Sequence, residues 1–142
     1  MLDVHIDDFY KDISVILLTL FRNFPCKANL YVDDLTGPAV LDEFGLQDRR
    51  FRSALSAMSW LAEEGYIRHS GDYNPDGLDQ AVLSERAFKQ LTKAITISDV
   101  SEQQQIENIA SIIEQAIHDR SSIKIKHACQ MFFGSIDTAA FA

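Results

Sequence analysis

The sequence predicts a mainly α fold of the α+β class. Two observations carry that expectation. Apolar residues recur with the 3.6-residue period of a helix in several long segments. Between two of those segments, short β-type runs at residues 66–69 and 78–83 flank a stretch rich in turn residues. The chain has 142 residues, 46% of them hydrophobic and 24% charged, an ordinary globular composition. A chain of this length buries roughly two thirds of its unfolded surface, so it needs neither disulfides nor metal to fold.

The first helix is expected over residues 7–24. Phe9, Ile13, Ile16, Leu17, Leu20 and Phe21 share one face, acids crowd the first turn, and Pro25 ends the run. Leu30-Tyr31-Val32 reads as a short strand. Asp33 or Asp34 can cap a short helix over 34–44 that Gly37-Pro38 interrupts and Gly45 stops. Gln47 or Asp48 caps the clearest helix, in which Phe51, Leu55, Met58, Leu61 and Ala62 repeat, Ala54, Ala57 and Trp60 widen the apolar face, and Gly65 ends the run. Tyr66-Ile67-Arg68-His69 and residues 78–83 then form a β-hairpin around Asn74-Pro75-Asp76-Gly77. Ser84 caps a helix with Arg86, Lys89 and Lys93 outside and Ala87, Phe88, Leu91 and Ile95 inside.

A polar junction, Ser98-Asp99-Val100-Ser101, separates residues 1–97 from a C-terminal helical extension, 98–142. Within it, residues 101–120 carry Ile106, Ile109, Ile113, Ala116 and Ile117 as a narrow aliphatic stripe. A further apolar segment holds Ile125, Ala128, Met131, Phe132, Phe133 and Ile136, with Gly134 as a break.

The order helix, strand, helix, helix, strand, turn-rich loop, strand, helix resembles the winged helix–turn–helix superfamily over about residues 7–93. Two local steps carry the resemblance: Trp60-Leu61-Ala62-Glu63-Glu64-Gly65-Tyr66-Ile67 out of the third helix, and Val82-Leu83-Ser84-Glu85-Arg86-Ala87-Phe88 into the next one. The resemblance implies that the third helix is a recognition helix and the hairpin a wing. It implies a DNA-binding transcriptional regulator, and equally accommodates a winged-helix adaptor that binds protein and never touches DNA.

For DNA, Arg49, Arg50 and Arg52 stand at the start of the third helix, where base edges are met in the major groove. Arginine reads guanine bidentately and clamps phosphate. Ser53 and Ser56 are short enough to let the helix approach, and Arg68 and His69 can support from the wing. Against it, Asp48 can instead pair with Arg52 across one helical turn, and the wing carries Asp72, Asp76 and Asp79 without a basic residue. The chain has a net charge of −8, with the bases concentrated in residues 45–93, where seven acids balance seven bases. Acidity of that size argues against a protein that simply coats nucleic acid.

Ile106, Ile109, Ile113, Ile117, Met131 and Phe132 are the candidate dimerisation residues, since a domain of residues 7–93 has enough apolar residues for its own core. A homodimer would set two recognition helices about one DNA turn apart. Packing within the chain and a different protein partner are the alternatives. A third function, a small-molecule sensor with a pocket between the first helix and the C-terminal helices, has no ligand named by the sequence.

Catalysis is not expected. There is no P-loop, G-x-G-x-x-G, H-E-x-x-H or G-x-S-x-G. His5-Ile6-Asp7 and His118-Asp119 are each a lone histidine beside acids, and Asp33-Asp34 and Asp42-Glu43 read as caps and a solvated face. Cys26 and Cys129 share no metal-ligand spacing and are expected to be mostly buried, reduced thiols. No cofactor is implied. The apolar run 13–21 is too short to span a bilayer and the N-terminus is acidic, so a cytoplasmic location without membrane contact is expected.

Overall fold

α1 (Val4–Asn23) is the element that the rest of the fold is built around. The structure, a computed structural model, describes residues 4–37, 48–71, 74–98 and 104–134. After α1 come β1 (Ala28–Tyr31), α2 (Asp33–Thr36), α3 (Arg49–Glu63), β2 (Ile67–Ser70), β3 (Gly77–Leu83), α4 (Glu85–Leu91), β4 (Ala94–Ser98), β5 (Gln104–Asn108), α5 (Ile109–His118) and α6 (Ser122–Phe133). The α+β class is therefore as expected. Of the helix expected over 34–44, only α2 lies within the described residues, and Gly45 falls outside them.

Sequence signals locate most of the ends. Asp48 accepts the backbone N–H of Phe51 at 2.7 Å, and Ser84 that of Ala87 at 3.2 Å. α3 ends where Gly65 takes a left-handed φ of +81°, letting Tyr66 N–H reach back to the Leu61 carbonyl. The three-stranded antiparallel sheet has the order β1-β3-β2. Gly77 lies against the backbone of Leu30, so close that a Cβ would collide with the Leu30 carbonyl. Further along β3, the register against both neighbours shifts by one residue. Gln80, with φ +48°, sits in that bulge, and the Asn29 side chain accepts its N–H at 2.9 Å.

Three expectations need correction. The helix expected to run through Ile95 stops at Leu91, and Ala94-Ile95-Thr96-Ile97-Ser98 forms β4, as three consecutive β-branched residues favour. Ile95 is buried all the same, from a strand. The stripe at 101–120 is likewise two elements. Residues 104–108 are β5, paired antiparallel with β4, and the Asn108 side chain caps α5 by accepting Ser111 N–H at 2.8 Å. Ile106 lies three residues before Ile109 and mimics helical spacing, but it stands on β5 and is 75% exposed.

The third correction concerns the extension. A boundary at 97/98 would cut the β4–β5 hairpin, and α5 and α6 pack on α1. Ile109, Ile113, Met131 and Phe132 join Ile13, Ile16, Leu17 and Leu20 of α1 and Phe51, Met58 and Leu61 of α3 in one continuous core. These four dimerisation candidates cover α1 of their own chain, because that side of α1 is apolar and α3 covers only part of it. Ile117 is half-buried at the edge of the same packing. An aromatic cluster ties α6 to the domain: Trp60 meets Phe9 and Phe133 edge-on at 5.3 and 5.7 Å, and Tyr66 meets Phe132 at 5.1 Å. Among the described residues, no helix is long and apolar enough to cross a membrane.

Candidate nucleic-acid interface

The first turn of α3 carries three arginines with different environments. Arg50 faces α1. Its guanidinium donates to both carboxylate oxygens of Asp12, at 2.7 and 2.5 Å, and Asp8 lies 3.8 Å from its Nε. The Asp12 side chain is only 2% exposed and that of Arg50 28%. The hydrogen bond to Asp12 raises the Arg50 pKa above its ordinary value; burial opposes this, and the charges of Asp12, Asp8 and Asp48 reinforce it. A bidentate pair of this geometry fixes the angle at which α3 leaves α1.

Arg49 and Arg52 take no part in that pair. Both are exposed, and neither forms an ion pair among the described residues. The expected Asp48–Arg52 pair does not form: the Asp48 carboxylate is taken by Phe51 N–H, and only the backbone of Arg52 reaches Asp48. Positions 49, 52, 53 and 56 share one helical face. Ser53 is half-buried and Ser56 exposed beside the two arginines. Arg49 and Ser53 border a recess of about 400 Å³ with Val4, His5, Asp8 and Arg50.

Arg68 and His69 are exposed on β2. They line a groove of about 430 Å³ that also takes in Ala62 from α3, Gln80 and Val82 from β3, and Lys27. Lys27 is exposed just before β1, and sequence reasoning did not single it out. Only the strand order β1-β3-β2, which brings the start of β1 across the sheet from β2, reveals that it shares a groove with Arg68. Exposed acids stand at the end of α3 (Glu63, Glu64) and near the turn between β2 and β3 (Asp76, Asp79), and none of them lines the groove. Asn74 donates to the Asp79 carboxylate at 3.0 Å and accepts the backbone N–H of Asp76 at 2.9 Å, so of these two acids it is the Asp79 carboxylate that the turn itself engages. Asp72 lies outside the described residues.

Arg86, expected on the outside of its helix, works on the fold. It lies 4.3 Å above the Tyr66 ring and donates to the Glu64 carbonyl at 2.7 Å, covering the C-terminal end of α3. The two cysteines differ from expectation: Cys129 is buried and donates to the Tyr10 carbonyl, but Cys26 is exposed. His118 stands 3.6 Å from Asp119, and its side chain is exposed. Among the described residues, no three His, Cys, Asp or Glu side chains are placed to hold a metal ion. The start of α3 thus presents Arg49, Arg52 and Ser56 to solvent, and the groove on the sheet presents Lys27, Arg68 and His69.

The chain matches no protein-family model, no curated protein and no solved structure.

Proposed function

We propose that this chain is a winged-helix DNA-binding protein, acting in the cytoplasm as a homodimeric transcriptional regulator without cofactor or chemistry of its own. The observation that carries the reading is the division of labour at the start of α3. One arginine, Arg50, is consumed in holding the helix to α1, while Arg49 and Arg52 are exposed beside Ser53 and Ser56 and form no ion pair among the described residues. The element order α1-β1-α2-α3-β2-β3-α4 supports it, with α3 as the recognition helix and β2–β3 as the wing. Arg49 and Arg52 then read or clamp DNA, Arg68 and His69 support from the base of the wing, Lys27 adds a phosphate contact, and Arg50 is a positioning residue.

The acids near the wing turn and at the end of α3 favour the second reading, a protein-binding adaptor. Fluorescence anisotropy against a random-sequence duplex pool at two salt concentrations separates the two. DNA binding that weakens steeply with salt is the expected result. An absence of binding even at low salt would favour the adaptor and redirect the search to a protein partner.

A further inference from the structure

The β4–β5 ribbon is a two-stranded sheet that no other strand joins among the described residues. In an antiparallel strand, half of the backbone N–H and C=O groups point away from the neighbour, so β5 presents an open row along its outer edge. Proteins usually guard such an edge with lysine, proline or a bulge. Here residues 94–98 and 104–108 contain neither Lys nor Pro, and Glu107 is their single charged residue. The pairing Ala94↔Asn108 through Ser98↔Gln104 runs without a bulge. Among the described residues, Ile106 is the most exposed of the large hydrophobic side chains, at 75%. A bare two-stranded ribbon is marginal in water and gains from a third strand.

We propose that the β5 edge is the self-association surface of this chain, and that its occupant is β5 of a second copy. The sequence Gln104-Gln105-Ile106-Glu107-Asn108 suits that pairing. A two-fold axis through Ile106 sets two antiparallel β5 strands with Ile106 opposite Ile106, Glu107 opposite Gln105 and Asn108 opposite Gln104. No two acids face each other. That matters for a chain of net charge −8, whose copies repel one another overall. The ribbon is locally almost neutral, and the same register works whichever alternate backbone groups point outward. The resulting four-stranded sheet is short. It therefore gives a weak, concentration-dependent dimer rather than an obligate one. The surface replaces the buried Ile109, Ile113, Met131 and Phe132 as the place where copies meet. Its regulatory meaning rests on the DNA-binding reading, whereas the pairing itself does not.

The test is light scattering after size exclusion on the full chain without DNA, over roughly a fifty-fold concentration range. The apparent mass should rise towards that of a dimer. Ile106→Lys sets two like charges together at the two-fold axis and should keep the mass at the monomer value, with an unchanged melting temperature because the side chain is exposed. In a Cys26→Ser background, Ile106→Cys should give an oxidised dimer that dithiothreitol reverses. A constant monomer mass across the range would overturn the proposal. So would a dimer that survives Ile106→Lys. Because no DNA enters the experiment, its failure is distinguishable from failure of the DNA reading, which the anisotropy measurement decides alone.

Discussion

The two sides of α3 put the same residue type to opposite uses. On the inner side, Arg50 meets a buried carboxylate bidentately and has little freedom. On the outer side, Arg49 and Arg52 are exposed and form no ion pair among the described residues. The difference does not come from the arginines. It comes from what α1 places opposite them: Asp12, one turn beyond Asp8, lies on the side of α1 that α3 covers. A charge whose partner is supplied by the fold becomes part of the fold, and one left without a partner is available to a ligand.

Breaking the inner side should have the largest effect. Arg50→Ala leaves the Asp12 carboxylate buried without its cation and should cost about 3 kcal/mol of stability in urea denaturation. The double variant Asp12→Leu/Arg50→Met removes both charges and should recover most of that loss. A single variant as stable as the wild type would mean that the pair does not set the helix.

The same contrast between inside and outside recurs in the cysteines and sharpens the comparison through pH. Burial pushes the Cys129 thiol up to about 12. The folded chain therefore keeps this proton where the unfolded chain, with an ordinary thiol, has lost it. The sign is a stability that is full below the ordinary thiol pKa and falls as pH rises from there towards 12. Cys129→Ala should flatten that alkaline fall. Denaturation midpoints across the alkaline range read the difference.

Smaller effects on stability are expected outside. Arg49→Ala and Arg52→Ala should each change stability by no more than about 0.5 kcal/mol, since both side chains are exposed and neither breaks an ion pair among the described residues. If either costs as much as Arg50→Ala, the outer side also serves the fold and the contrast fails. Smallest of all is the Glu85–Lys89 pair at 2.8 Å, one turn apart on α4 with both side chains exposed. It holds the Glu85 carboxyl below its ordinary pKa through the hydrogen bond from Lys89. Lys89→Ala should nonetheless shift the thermal midpoint by no measurable amount, because water screens such a pair.

Much of the fold was legible because local chemistry decided it. Asp48, Ser84 and Gly65 mark helix ends by bonds made within a few residues, and the β2–β3 hairpin is announced by its turn residues. The misreadings share one cause. Spacing alone cannot tell Ile106 on a strand from Ile109 on a helix when three residues separate them, and Ile95 fits the apolar face of α4 as well as it fits β4. The destination of the aliphatic stripe was equally hidden, because whether α5 covers α1 or a second chain depends on how much of α1 the other elements leave bare. In the site, the grouping of Arg49, Arg52, Ser53 and Ser56 followed from helical periodicity. The capture of Arg50 did not, since Asp12 lies 38 residues away in the chain. Lys27 was invisible for the same reason.

The most direct measurement is the salt dependence of DNA affinity for the wild type, Arg49→Ala/Arg52→Ala and the charge-free Asp12→Leu/Arg50→Met pair. Removing the two outer arginines should flatten the slope of log affinity against log salt by about two, one for each lost phosphate contact. The inner double variant should keep the wild-type slope. Equal slopes for the wild type and Arg49→Ala/Arg52→Ala, or a flattened slope only when the inner pair is replaced, would contradict the assignment of the outer face of α3 to DNA.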